Sequence, residues 1–88
     1  MQIEGAVVRE QSQTFAIAVI KSSVAAGGDR ALREAVASFT PIFPGMPIIL
    51  MWQDMHGIPT YWGTPEIVNF LRNIEISRIP WRRYSIAA

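Results

Sequence analysis

His56 is the single histidine of the chain, and Asp54 stands two residues before it. An imidazole beside a carboxylate is a pair that general acid–base chemistry uses, the carboxylate orienting the ring. Asp54-Met55-His56-Gly57 also satisfies the chemistry of a tight turn. Aspartate is favoured at the first turn position, and glycine takes a backbone angle that other residues avoid. The turn accounts for these residue types without further assumption. The six serines sit in turns, caps or polar faces, no Gly-x-Ser-x-Gly or Ser-x-x-Lys pattern occurs, and the seven carboxylates are scattered. No catalytic residue is assigned.

Trp52, Tyr61 and Trp62 flank that turn. With His56 they form a candidate ligand-binding set, since aromatics on neighbouring strands can wall a pocket or stack on a base. In one register Trp52 and Trp62 share a face, while Tyr61 shares the opposite face with Met51. Packing in a core or at a dimer interface explains the same residues, because indoles contribute most when buried.

The tail supplies a second candidate set, Arg78, Trp81, Arg82, Arg83 and Tyr84. Guanidinium groups interleaved with aromatics suit contact with nucleic acid or with a protein partner. From Arg72 onward there are four arginines against Glu75 alone, yet the net charge is only +1. The isoelectric point of about 8.3 falls below that of a dedicated nucleic-acid domain. A protein partner therefore ranks ahead of nucleic acid. Trp81 and Tyr84 can equally pin the tail to the body.

Ala26-Gly27-Gly28-Asp29 places two glycines before a helix, the setting in which phosphates bind. The Walker and Rossmann spacings are absent, and Asp29 would put negative charge where the anion sits. A loop followed by an N-cap is the simpler reading. The chain has no cysteine, which rules out disulfides, thiol catalysis and iron–sulfur ligation by its own residues. One histidine without cysteine makes no recognisable zinc site. No metal and no cofactor are expected.

Gly57-Ile58-Pro59-Thr60 resembles the Gly-Ile-Pro-Thr turn of thioredoxins, in which the proline is cis. The resemblance covers these four residues. The family's Cys-x-x-Cys is absent, so neither redox activity nor the fold is carried over.

The elements that position these residues are readable from periodicity. Ile3 to Glu10 and Thr14 to Lys21 read as strands joined through Gln11-Ser12-Gln13. In the second strand Phe15, Ile17 and Val19 point one way and Ala16, Ala18 and Ile20 the other. A strand apolar on both faces belongs inside a sheet covered on each side. Ser22 to Gly28 reads as a loop, with Asp29 capping a helix whose apolar stripe is Leu32, Ala35, Val36 and Phe39. Pro41 ends that helix, and Ile42 and Phe43 tuck under the sheet. Ile48 to Gln53 and Ile58 to Trp62 form a second hairpin. Thr64 and Pro65 then open a helix with Ile67, Val68, Phe70, Leu71 and Ile74 on its apolar side, ending near Asn73 to Glu75.

The expected fold is α+β, with two hairpin–helix units in the order ββαββα. Unit one covers about residues 3–40, unit two about 47–75, and a basic, aromatic tail 76–88. The tail is either an extra edge strand or an arm crossing to a partner. The sheet is expected to be antiparallel with both helices on one face, leaving the other for a second protomer. All 88 residues form one domain.

Half the residues are hydrophobic and 17% are charged. A domain of this size hides only about two thirds of its extended-chain surface, so the apolar surplus points to a homodimer. Met1 to Glu4 lacks the basic-then-apolar order of a signal peptide. The apolar run Ile42 to Trp52 is too short for a span and is broken by Pro44, Gly45 and Pro47. A cytoplasmic location without a membrane partner is expected. Together these features predict a small non-catalytic protein-interaction or regulatory module. A small-ligand binder or minor enzyme with an aromatic pocket around Trp52, His56, Tyr61 and Trp62 ranks second, and a weak nucleic-acid binder using the C-terminal arginines third.

Overall fold

Two strands rich in apolar residues on both faces set the architecture. In the computed structural model, which describes residues 2–10 and 12–85, they lie side by side within a mixed five-stranded sheet of order β4-β3-β2-β1-β5. β1 is Gln2–Glu10 and β2 is Gln13–Val19. A short α1, Ser22–Ala25, stands where a plain loop was expected, and α2 follows as Gly28–Phe39. β3 is Ile48–Gln53, β4 is Pro59–Trp62 and α3 is Pro65–Arg72. A 3-10 turn at Ile76–Arg78 leads into β5, Arg82–Ser85. Gln11 of the expected first hairpin connection and residues 86–88 of the tail lie outside the described residues.

β2 is the central strand, as its two-sided apolarity requires. Phe15 and Ile17, with Val19 beside them, join the core beneath α3, and Ala16 and Ala18, with Ile20, join the core beneath α2. The expected helical stripes fall where periodicity put them: Leu32, Ala35, Val36 and Phe39 on the α2 side, Ile67, Val68, Phe70, Leu71 and Ile74 on the α3 side. Pro65 begins α3 in its first turn, where a missing amide hydrogen costs nothing. Asp29 is not the N-cap of α2. Gly27 takes that position, and Asp29 lies in the first turn, where its charge still suits the helix dipole. Thr64 is the N-cap residue of α3, with no side-chain cap bond.

Two expectations about the sheet are corrected. It is not purely antiparallel: β2 and β3 run parallel, in a register that matches Ala16 with Ile48 and Val19 with Met51. One helical crossover between them carries the chain back to the end where β2 began, so β3 must start there and run the same way. Nor do the helices share a face. α2 connects neighbouring strands over one side. α3 and the 3-10 turn carry the chain from one sheet edge, β4, to the other, β5, over the opposite side. The face left for a second protomer is covered from within the chain.

The tail is an edge strand of its own sheet, with Ile3 opposite Tyr84 and Gly5 opposite Arg82. On the α2 side, Gly5 lets the sheet approach Phe43 closely, since a Cβ there would stand 3.3 Å from the ring tip and 2.7 Å from the Ile17 carbonyl oxygen. Phe43 meets Tyr84 edge to face at 4.9 Å.

Candidate functional site

The two residue sets proposed from sequence meet different fates. Asp54 closes the β3–β4 turn: its Oδ1 accepts the amides of His56 at 2.8 Å and Ile58 at 3.0 Å. Its backbone carbonyl accepts the Gly57 amide at 3.0 Å, and Gly57 takes φ +79°. The carboxylate is thus occupied by the turn, and the exposed His56 contributes its backbone amide to it. No cis peptide occurs at Pro59, unlike the thioredoxin turn, and Pro59 begins β4.

Trp52 and Trp62 pack, half-buried, against the α2-side core, while Tyr61 lies opposite Met51 and is buried in the α3-side core. The sheet separates the tyrosine from the indoles, so the four residues do not line one pocket. The Tyr61 hydroxyl is buried without a hydrogen-bond partner, and burial raises its pKa above the ordinary value.

In the tail, Trp81 is half-buried and its indole donates to the Ile76 carbonyl at 2.9 Å. Tyr84 is held against Phe43. Both aromatics are engaged with the body, which leaves Arg82 and Arg83 exposed on β5 without a free ring between them. Arg78 borders a cleft beside α3.

The largest concavity described is elsewhere. A groove of about 860 Å³ opens between α2 and the paired ends of β1 and β2, with Ile3, Ile20, Val24 and Phe39 among its apolar lining. Ala31, Ala35 and Ser38 form the α2 wall, and Lys21, Glu4 and Glu34 supply its charges. The apolar stripe read from sequence, Leu32, Ala35, Val36 and Phe39, leaves Glu34 and Ser38 off the core side and does not reveal the groove. Its only linear signal is the spacing of Ala31, Ala35 and Ser38, small residues one turn apart along the edge of the core stripe, to which Ala35 itself belongs.

Little in this groove is poised for chemistry. The Ser38 hydroxyl donates to the Ala35 carbonyl of its own helix at 2.7 Å. Glu34 pairs with Arg30 at 3.3 Å across one exposed helical turn. Among the described residues, no group of three or more histidine, aspartate or glutamate side chains could hold a metal ion, and no helix is long and apolar enough to cross a membrane. What the groove offers is apolar surface with charges of both signs.

By fold the chain is a small α+β protein with helices on both faces of a mixed sheet. Compared with protein-family models, with curated proteins and with solved structures, it matches none.

Proposed function

We propose that this chain is a non-catalytic, cytoplasmic protein-interaction module that pairs with a second copy of itself through the groove beside α2. The observation that carries the reading is the groove itself. The general apolar surplus no longer carries it, because both sheet faces are covered within the chain. Among the described residues, the large hydrophobics left exposed are Val24, Met55 and Ile58.

The groove suits a copy of this chain for two reasons. α2 is the wall of its own groove and also a ridge that can enter the groove of a two-fold mate, as a self-complementary interface requires. Ala31, Ala35 and Ser38 are small enough to let two helices approach to about 8–10 Å. The charges are likewise self-complementary, since Lys21 of one copy can meet Glu4 or Glu34 of the other.

Light scattering coupled to size exclusion tests this. A dimer is expected at about 100 μM, a concentration that populates any pair binding more tightly than that. Ala35→Glu should yield a folded monomer, with unchanged circular dichroism. A wild-type monomer across the concentration range, or an Ala35→Glu dimer as tight as wild type, refutes the reading.

A further inference from the structure

β1 is nine residues long, yet only its first half has a neighbour on the outer side. The ladder with β5 covers Gln2 to Gly5 and stops. The local chemistry explains why. The residues before β5 are Pro80, which has no amide hydrogen, and Trp81, whose amide donates to the Ile79 carbonyl at 2.8 Å. Neither can donate to β1, and the buried Ile79 turns the chain off the sheet into the α3-side core. Ala6 to Glu10 pairs with β2 on one side, Ala6 opposite Ile17 and Glu10 opposite Gln13. Among the described residues, no strand lies on the other side.

A row of strand-edge amides and carbonyls is matched by one kind of partner, another extended backbone. Two adjoining clefts lie on the α3 side of this free edge. One of about 360 Å³ has Val8, Ile74 and Ile79 in its wall. The other, about 190 Å³, runs between Glu10 and Glu66 over Phe70, which the two clefts share. Among the described residues, neither Glu10 nor Glu66 forms a salt bridge. Arg9 is exposed on the opposite face of the same strand.

We infer that the free half of β1 binds an extended peptide from a partner protein as an added strand, antiparallel to β1 and in line with β5. Residues directly opposite each other on paired strands share a face. The peptide residue opposite Glu10 is therefore basic, drawn by two carboxylates. The next, opposite Arg9, is acidic. The third, opposite Val8, is apolar and fills the larger cleft. The recognised order is basic, acidic, apolar. Charge on the edge discourages indiscriminate strand pairing and admits the complementary sequence. This surface is separate from the α2 groove and does not depend on self-association.

The test uses a blocked peptide reading Thr-Val-Thr-Val-Lys-Glu-Val-Thr, which ends opposite Val7 and clear of β5, added to isotope-labelled protein of both the wild-type and the Ala35→Glu sequence, so that failure of the dimer leaves this result readable. Amides within Ala6 to Glu10 should slow in hydrogen exchange, and signals of Phe70 and Ile74 should shift. An analogue N-methylated at alternate backbone amides should not bind. Glu10→Lys should weaken the peptide about fivefold, and replacing the peptide's lysine with glutamate should restore it. The inference is overturned by three results: no response at about 1 mM peptide, the weakest binding worth calling specific; equal binding of the N-methylated analogue; or protection of the β1 edge that rises with protein concentration alone, which would assign the edge to a second copy.

Discussion

The two faces of the sheet carry helices of similar amphipathic design but are filled to different degrees. Toward α3, Ile67, Val68, Phe70, Leu71 and Ile74 are all large, and Phe70 meets Phe15 edge to face at 6.3 Å. The clefts left on that side are about 190 and 360 Å³. Toward α2, Leu32, Ala35, Val36 and Phe39 reach the core, but the flank facing β1 is made of Ala31, Ser38 and the same Ala35, and a groove of about 860 Å³ remains. The difference is one of side-chain volume on a helix flank. Protein interiors are close-packed, so where a helix presents methyl groups instead of branched chains, space is left open to the surface.

The strongest test of this contrast is to empty each core. Leu71→Ala and Phe43→Ala each remove a side chain that is 1% exposed and should each cost about 2–5 kcal/mol in denaturant unfolding. If Phe43→Ala were near wild type, the α2 side would be a loose cover, and the comparison would have to be redrawn. Enlarging small residues should separate core from groove on the same face. Ala18 is fully buried, and Ala18→Leu should cost about 1–3 kcal/mol by overpacking. Within one chain Ala35→Leu has room, and in the dissociated monomer at high dilution it should stay within about 0.5 kcal/mol of wild type in denaturant unfolding.

A smaller effect belongs to the α3 side. Tyr61→Phe removes a buried hydroxyl that lacks a partner and should leave stability unchanged or raise it by up to about 1 kcal/mol. The same phenol makes stability pH-dependent. Its folded pKa is raised, so above the unfolded value of about 10 the native state holds a proton that the unfolded chain releases. That contribution is complete below about pH 10 and is lost as pH climbs through the folded value. Melting temperature measured from neutral to alkaline pH should fall more steeply in wild type than in Tyr61→Phe. The smallest effect expected is at the edge: Arg82→Ala with Arg83→Ala should leave the melting curve in place, because exposed charges contribute little.

Much of the local structure was legible because its signals are local. The helical stripes of α2 and α3, the two-sided apolarity of β2, the Asp54–Gly57 turn and the Thr64-Pro65 helix start depend on residues within a few positions of one another. Even the separation of Tyr61 from Trp52 and Trp62 follows from strand alternation. The candidate sites were less legible. The ligand set grouped residues by nearness in sequence, and a sheet stands between them. For the aromatics of the tail set the structure shows the anchoring alternative: Trp81 is held by the Ile76 carbonyl and Tyr84 by Phe43, partners that no linear spacing reveals.

Composition and periodicity by themselves determined that this chain is α+β, which residues form its two apolar helix faces, and that β2 lies inside the sheet. Tertiary structure alone decided that β2 and β3 run parallel, that α2 and α3 take opposite faces, and that α2 borders an open groove while half of β1 keeps a free edge. A residue pattern reports which side of an element is apolar, because burial acts on each side chain. It does not report which apolar side meets which, because that depends on where crossovers carry the chain through space.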